Sequence, residues 1–344
     1  MLKDTSKIFL DDKSVEFLTA SINIRGSNTA GELNFVMTSA EPNYRNLWNK
    51  EVTVYFQTGD AYPIFRGRVV DTTVESNYAL KVKCLDVYGF LTGHQRARVL
   101  LDDNKNIDGL SAGASIHKLI EYANLQNIVG TDYVGDTNPI IQNLSPRGII
   151  VIQDEIRSYM TRSVNLSNED LPRQNLIVVR DDGNKAQLQI ETRADVDNVN
   201  PIHYYSYDKN IINFQARNRH IPTTVVVRGD DVMGEFRHKS AAQAYGEYFM
   251  EVTNKELDTQ ADCVNFAQKI FRANLKTKYE YTLNTFEGVY LNANDVVYIK
   301  DNDTGIEGNF RVIGKVITFS PTSFSLRLYI NKRPPVFGEY LRID

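Results

Sequence analysis

The stretch Ile64–Val70 reads IFRGRVV. It decides the fold because a similar stretch occurs near the other end of the chain, at Asn309–Val316, which reads NFRVIGKV. Each stretch lies between two shorter apolar segments. These are Val52–Tyr55 and Leu80–Leu85 in the first copy, and Val296–Ile299 and Phe324–Leu328 in the second. Both copies have the pattern strand, loop, strand, turn, strand. Internal similarity of this kind predicts two related β modules in one chain.

The two copies also have similar spacing. From the start of the first predicted strand to the Phe-Arg pair of the middle strand is thirteen positions in one copy and fourteen in the other. We therefore predict that Phe65 and Phe310 occupy equivalent core positions. The alternative is that any two antiparallel meanders look alike at this level.

Length and composition are typical of a globular protein with two or three domains. The 344 residues exceed what one core usually supports, and 42% are hydrophobic and 24% charged. We find no signal-peptide pattern at the N-terminus, and no apolar run approaches the roughly 20 residues of a membrane helix. The two cysteines, Cys84 and Cys263, argue against a disulfide framework and a cysteine zinc site. We expect a protein made in a cytosol, with no membrane partner.

The charge balance argues against a nucleic-acid-binding protein. The formal net charge is −4, with 39 basic residues dispersed among 43 acidic ones, whereas such proteins cluster Lys and Arg against phosphates. DNA could still pass close by, because a conduit that held phosphates tightly would stall transport.

Residues 15–90 show the period of two that is typical of half-buried antiparallel strands. The alternating apolar residues are Leu18, Ala20, Ile22 and Ile24, then Leu33, Phe35 and Met37, then Val52, Val54 and Phe56. Turn-forming segments at 27–31, 40–44 and 59–63 separate the strands. Short strands with regular turns predict a small barrel or sandwich.

From about residue 91 the pattern indicates mixed helices and strands. Ser115 is a candidate cap for a helix with Ile116, Leu119, Ile120 and Ala123 on one face. A second helix is predicted at 148–162, with Ile149, Ile152, Ile156 and Met160 on one side. Leu176–Arg180 and Leu188–Ile190 flank an Asp-Gly turn, which predicts a hairpin. This region is predicted to be a small α/β domain.

The last third returns to strands. Thr224–Arg228 predicts a strand, and 260–275 predicts a helix that begins at a capping box of Thr259 and Asp262. Strands are expected at about 278–287, 296–300, 309–319 and 323–330. The predicted fold class is α+β and mainly β, with two antiparallel β-barrel domains and a small α/β domain between them. The predicted domains are 1–92, 93–210 and 211–344.

We identify no catalytic, cofactor-binding or metal-binding residues. The histidines His94, His117, His203, His220 and His238 form neither an i, i+4 pair nor an HExxH motif. The adjacent acids are Asp102-Asp103, Glu169-Asp170, Asp181-Asp182 and Asp230-Asp231; neighbours in sequence point apart, whereas glycoside hydrolysis needs facing carboxylates. The calcium-loop pattern beginning at Asp301 fails at its sixth and twelfth positions, Ile306 and Val312.

Tyrosine is abundant, with 19 residues against a single tryptophan. Tyr279 and Tyr281 are two positions apart in a predicted strand and should share a face. Interface contacts and simple β-propensity both explain this enrichment.

Together these segments resemble the baseplate hub, or tail hub, proteins of contractile-tailed phages and related injection machines. That group includes the phage late control gene D proteins and the hub part of VgrG. Val52–Tyr55, Ile64–Val69 and Val82–Asp86 look like the family's first tube-like barrel, and Leu291–Ile299 resembles its "l.pGd.v.i" strand entry. Phe310–Val316 resembles the following strand.

The chain departs from the family pattern at two positions. Asn294 replaces the usual glycine, which leaves the turn feasible because Asn tolerates left-handed backbone. Ile317 stands where a histidine is common.

The resemblance implies a structural virion protein without catalysis and without a cofactor, located in the tail baseplate and assembled in the bacterial cytoplasm. It implies two tail-tube-like barrels and a homotrimer that adapts the sixfold tail tube to the threefold central spike. Implied partners are the tail tube protein, the central spike protein and baseplate wedge proteins. DNA would pass through the channel without specific binding, and spike and hydrolase would be separate chains.

Two alternatives remain at this point. A carbohydrate-binding or receptor-binding tail protein should show exposed aromatic residues around a groove. A peptidoglycan hydrolase would need converging acids or a zinc site.

The first prediction is that the purified protein does not lyse peptidoglycan, because the sequence offers no nucleophile, metal or acid pair with usable spacing. A zymogram measures this directly, with lysozyme as the positive control. Lysis that disappears when a single Asp or Glu is replaced would contradict the prediction.

Overall fold

The computed structural model describes residues 6–25, 29–37, 44–57, 59–75, 79–93, 97–134, 148–156, 175–192, 196, 198–218, 222–254, 257–276 and 279–331. Residues 27–28 and 40–43 of two predicted turns lie outside these ranges, as do His94, Glu169-Asp170 and His220.

Strands from both ends of the chain form one large sheet. The N-terminal strands are β1 (Lys7–Leu10), β2 (Lys13–Val15), β3 (Phe17–Arg25), β4 (Glu32–Met37), β5 (Glu51–Tyr55), β6 (Phe65–Val74) and β7 (Leu80–Asp86), with a 3₁₀ turn at Tyr44–Leu47. The C-terminal strands are β13 (His203–Ser206), β14 (Asn213–Asn218), β18 (Tyr279–Thr285), β19 (Val296–Asp301), β20 (Ile306–Phe319) and β21 (Phe324–Asn331). The sheet runs in the order β14-β18-β21-β20-β3-β4-β7-β6-β5-β1-β2, and β19 joins β20 to β13.

Alternating apolar residues line the core of this sheet as the sequence predicted. Leu33, Phe35 and Met37 are all buried, as are Val52 and Val54. One core contains residues of both ends of the chain, including Ile22, Phe35, Phe310 and Leu326. The two predicted modules are therefore packed together.

Leu18 does not share the buried face of Ala20 and Ile22, in contrast to the prediction. The pairing of β3 with β4 shifts register between Phe17 and Thr19. This β-bulge turns Phe17 into the core and leaves Leu18 50% exposed.

The middle of the chain forms a second core. Its elements are α1 (Val87–Gly93), β8 (Arg98–Leu101), α2 (Ala112–Tyr122), β9 (Gly130–Tyr133), β10 (Gly148–Val151), α3 (152–156), β11 (Asn175–Asp181) and β12 (Ala186–Thr192). The hairpin β11-β12 confirms the prediction from the Asp-Gly turn. Ile116, Leu119 and Ile120 of α2 are buried in this core.

Two helix predictions in this region were wrong in detail. The cap of α2 is Ser111, whose hydroxyl accepts the N–H of Ala114, whereas Ser115 is buried inside the helix. The predicted helix at 148–162 begins as strand β10, which pairs with β8 and leaves Ile149 73% exposed. The isoleucine spacing suits either structure, and pairing with β8 decides for the strand. Met160 lies outside the described residues.

A third core lies within the C-terminal third, which the sequence did not indicate. It is formed by β15 (Thr224–Arg228), β16 (Met233–Arg237), α4 (Lys239–Tyr245), β17 (Phe249–Thr253) and α5 (Gln260–Lys276). The predicted cap of α5 is confirmed at Thr259, whose hydroxyl accepts the N–H of Asp262 and donates to the carboxylate of the same residue. This lobe is inserted between β14 and β18, which pair with each other.

The second prediction concerns the shared core. Phe65→Ala and Phe310→Ala should each lower the free energy of unfolding by about 3–5 kcal/mol, because both rings are buried and truncation leaves a cavity. Chemical denaturation measures the change. Leu18→Ala is the matched control in the same sheet and should change stability by about 0.5 kcal/mol or less. Losses below about 1 kcal/mol for both Phe variants would contradict the shared core.

Candidate assembly surface

The two β modules have the same strand order. The strands numbered one to six are β1, β3, β4, β5, β6 and β7 in the first module, and β13, β14, β18, β19, β20 and β21 in the second. In the sheet, the strands of each module lie in the order two, three, six, five, four, one. The equivalent pairs are β1 and β13, β3 and β14, β4 and β18, β5 and β19, β6 and β20, and β7 and β21. One difference is that β1 runs antiparallel to β5, whereas β13 runs parallel to β19.

A hydrogen-bond signature fixes the alignment of the two modules. The N–H of Asn49 donates to the carbonyl of Val69, whose own N–H donates to Lys50. In the second module the N–H of Asn294 donates to the carbonyl of Val312, whose own N–H donates to the carbonyl of Asp295. Asn49 and Asn294 both have left-handed backbone, with φ of 66° and 78°. The prediction that Asn294 could replace glycine in this turn is therefore confirmed.

This alignment shows that the predicted equivalence of Phe65 and Phe310 is wrong by two residues. Phe310 lies opposite Val297, and the equivalent position in the first module is Gly67, opposite Val52. The ring of Phe65 lies 2.8 Å from where a Cβ on Gly67 would stand. Because side chains alternate with a period of two, a shift of two residues keeps both rings in the core.

The two modules meet at a seam made by one long strand, β20. Its first half, Ile306–Arg311, pairs with β19, and its second half, Gly314–Phe319, pairs antiparallel with β3. Across this seam Ile317 lies opposite Ile22, and both are fully buried. A β-bulge between Val312 and Gly314 marks the change of partner.

The seam is formed by β20 and β3. Their equivalents in the other module, β6 and β14, each have an exposed edge. The second half of β6 pairs with β7 on one side, and Asp71, Thr73 and Val74 are exposed there. Strand β14 pairs with β18 on one side, and Gln215, Ala216 and Arg217 are exposed. In the described part of the chain, neither edge has a strand partner on its other side. Exposed edges carry backbone N–H and C=O groups that can pair with another chain.

Ion pairs tie the hairpin β11-β12 to both modules. Asp181 accepts from the Nε of Arg66 in the first module at 2.5 Å, and Glu51 accepts from its Nη1 at 2.6 Å. Arg180 donates to Glu191 at 2.7 Å and to Asp295 of the second module at 3.3 Å. These half-buried ion pairs hold the hairpin at the junction between the two modules.

A lysine is buried beside this junction. Lys315 of β20 is 2% exposed, and its Nζ donates to the carbonyl of Val289 at 2.6 Å. Burial lowers its pKa to about 8, and the nearby Arg180 also lowers it, whereas the charge of Asp295 opposes the shift. Lys315 gives this carbonyl a hydrogen-bond donor, but its own positive charge is then buried in the protein interior, which is unfavourable.

Several of the acids and histidines considered from the sequence serve turns and caps. Asp102 accepts the N–H groups of Asn104 and Lys105, and Asp182 accepts those of Asn184 and Lys185. Asp301 accepts from Thr304 in its turn, and His238 accepts the N–H of Ala241 to cap α4. Among the described residues, no group of three or more His, Cys, Asp or Glu side chains could hold a metal ion.

Tyr281 packs inward. Its ring stacks on Phe214 at 5.7 Å between centroids and meets Phe310 edge-on at 5.2 Å. This favours a packing role for Tyr281, and the side chain of Tyr279 lies outside the described residues.

Of the helices in the described ranges, none combines the length and apolar character needed to cross a membrane.

No family model matches the chain, and no curated protein matches it in sequence. Solved structures do match over nearly the whole chain. A tail protein of Neisseria meningitidis MC58 superimposes with a TM-score of 0.65 at 13% identity, covering 95% of this chain and 96% of its own. The 43 kDa tail protein of prophage MuSo2 from Shewanella oneidensis gives 0.63 at 11%, covering 94% and 97%.

A third match is a component of the E. coli type VI secretion system, described as similar to the bacteriophage T4 tail proteins gp27 and gp5. It gives a TM-score of 0.55 at 8% identity and covers 97% of this chain and 77% of its own. At these identities the likeness defines the fold. The chain has the fold of phage tail proteins, and its mainly β class agrees with the sequence prediction.

The third prediction concerns Lys315. Because the folded pKa lies below the ordinary value of 10.5, the unfolded chain binds more protons between about pH 8 and pH 10.5, and the free energy of unfolding should rise with pH in that window. The rise should be on the order of 2–3 kcal/mol. Lys315→Met should remove this rise, measured by denaturation at each pH.

Lys209→Met, at an exposed position, is the control and should leave the pH dependence unchanged. A Lys315→Met profile parallel to that of the original protein would contradict an altered pKa at this residue.

Proposed function

We propose that this protein is the baseplate hub of a contractile tail. In this proposal it is a structural virion protein that adapts the sixfold tail tube to the threefold central spike and surrounds the DNA channel. The observation that carries the proposal is the repeated strand order, which places two modules of one topology in a single chain.

The argument is one of symmetry. A tube built from rings of six identical barrels needs six modules at the layer it meets, whereas a threefold spike needs three subunits. A chain with two modules satisfies both when three copies form a ring. The ring closes through cyclic symmetry, which avoids open-ended assembly.

The differences between the two modules suit such a layer. The third core, with β15 to β17 and α5, is inserted only in the second module, and the outermost strand β13 runs opposite to β1. Six barrels that alternate between two kinds have threefold and not sixfold symmetry. One face would meet the tail tube protein and the other the central spike protein.

We propose the domain division 1–92, 93–210 and 211–344 for this role, with the first and last domains as tail-tube-like barrels. Strand β13 comes from the middle segment and adds to the second module. The middle domain would lie outside or below the ring and contact baseplate wedge proteins. Its ion pairs to both modules through Arg66 and Asp295 would hold it in place.

The structural likeness to phage tail proteins supports a tail location, and the likeness to a type VI secretion component supports an injection machine. The net charge of −4 and the absence of a basic cluster in the sequence suit a channel through which DNA passes without specific binding.

The fourth prediction is a stoichiometry of three. Native mass spectrometry of the concentrated full chain and averaged images of the ring, or of the assembled particle, should give three copies and six barrel-like modules. Six copies, or three copies without a ring of six modules, would overturn the proposal. Saturable binding to a glycan array by a stable monomer would favour a receptor-binding tail protein instead.

A further inference from the structure

We propose that the exposed edge of β6 in one copy pairs antiparallel with β14 of the next copy, and that this pairing reproduces between copies the seam that β20 and β3 make within one chain. The number of copies joined rests on the proposed trimeric hub. The choice of edges, their direction and their register rest on the described strand pairings and backbone hydrogen bonds.

The first step aligns β6 with β20. Val69 and Val312 are equivalent because both exchange backbone hydrogen bonds with the turn that begins at a left-handed Asn. A β-bulge follows each of them, at 70 and at 313. Counting on from the bulge, Thr73 is equivalent to Val316, and Val74 is equivalent to Ile317.

The second step aligns β3 with β14 through their neighbours. Opposite Val69 lies Cys84, and opposite Cys84 lies Leu33, which pairs with Ile22 of β3. The same path in the second module leads from Val312 through Ile330 and Tyr281 to Ala216 of β14. Ala216 is therefore equivalent to Ile22.

The third step transfers the seam. Within the chain Ile317 pairs with Ile22, and Val316 pairs with Asn23. Between copies this becomes Val74 opposite Ala216 and Thr73 opposite Arg217. Glu75 then lies opposite Gln215.

Exposure agrees with a missing neighbour at both edges. At the internal seam Ile317 and Ile22 are fully buried. Their equivalents, Val74 and Ala216, are both exposed in the single chain, Val74 at 44%. Pairing would bury both and satisfy the backbone groups of the two edges.

The proposed interface carries charged side chains at positions where the internal seam has uncharged ones. Opposite Thr73, Arg217 would lie diagonally between Asp71 and Glu75, two residues to either side on the same face of β6. The equivalent seam positions are Gly314, Thr318 and Asn23, which carry no charge. Glu75 already contacts Lys81, which leaves Asp71 as the exposed acid for Arg217.

The pairing joins two different edges, so it is heterologous. Each copy gives β6 to one neighbour and β14 to the other, and such a contact closes into a ring when the rotation permits. Three copies would contain three internal seams and three seams between copies, which is the pseudo-sixfold arrangement.

The fifth prediction tests this register by disulfide trapping in the full chain. The double variant Val74→Cys/Ala216→Cys should form intermolecular disulfides on oxidation, because opposite residues of antiparallel strands lie within the Cα separation that a disulfide spans. Cys84 and Cys263 are buried and should not compete. Non-reducing gels should show dimers and trimers and no larger species, since a closed ring of three has no free end.

Two controls accompany this variant. Val74→Cys/Asn213→Cys moves one thiol three residues out of register, about 10 Å along the strand, and should not form the trimer. Arg217→Glu should weaken trimer formation several-fold, and Asp71→Arg should restore it in the double variant. Arg98→Glu, at an exposed position in β8, should have no effect.

The outcomes separate this pairing from the proposed hub. Covalent species that end at a number other than three would support the edges and refute the trimer. A ring of three copies in which the Val74/Ala216 pair fails to cross-link, or cross-links no better than Val74/Asn213, would overturn the pairing and leave the hub intact. Failure to cross-link at every soluble concentration would also overturn it.

Discussion

The structure depends on the backbone pairing of β20 with β3, which joins residues about 300 positions apart in sequence. A β-strand must satisfy its N–H and C=O groups on both edges, and an unpaired apolar edge invites aggregation. By pairing Gly314–Phe319 with β3, the chain satisfies one edge of each module and encloses Ile317 and Ile22. The shared core that contains Phe35 and Phe310 exists because this seam holds the two modules side by side.

The β-bulge in β20 makes this seam possible. Up to Arg311 the strand pairs with β19, and beyond the bulge it pairs with β3, so the extra residue redirects the strand from its own module to the other. A β-bulge adds twist and bends the strand that carries it. The same device occurs in β6 between Val69 and Asp71, where the outward half of the strand has an exposed edge. Equivalent strands thus have the same shape but different surroundings.

Chains of only 11–13% identity superimpose on this one over nearly their whole length, so the fold does not depend on the identity of most side chains. Buried positions in a sheet accept several apolar side chains of suitable size, so sequence diverges while pairing persists. Polar contacts that fix this arrangement include the turns at the left-handed Asn49 and Asn294 and the ion pairs of Arg66 and Arg180.

The sequence by itself determined the features that depend on neighbours along the chain. Period-two alternation predicted β4 and β5, the Asp-Gly turn predicted the hairpin β11-β12, and Thr259 with Asp262 predicted the start of α5. The repeat of three strands predicted two related modules, and Asn294 was correctly expected to tolerate its turn.

Tertiary structure decided what depends on distant partners. The exposure of Leu18 follows from the register between β3 and β4. Residues 148–151 form strand β10 because they pair with β8. The offset between Phe65 and Phe310 follows from the pairing of their strands with β5 and β19. The seam and the third core were equally invisible in the sequence. The physical reason is that backbone hydrogen bonds carry no residue code: any strand can pair with any other, and only packing selects the partner and the register.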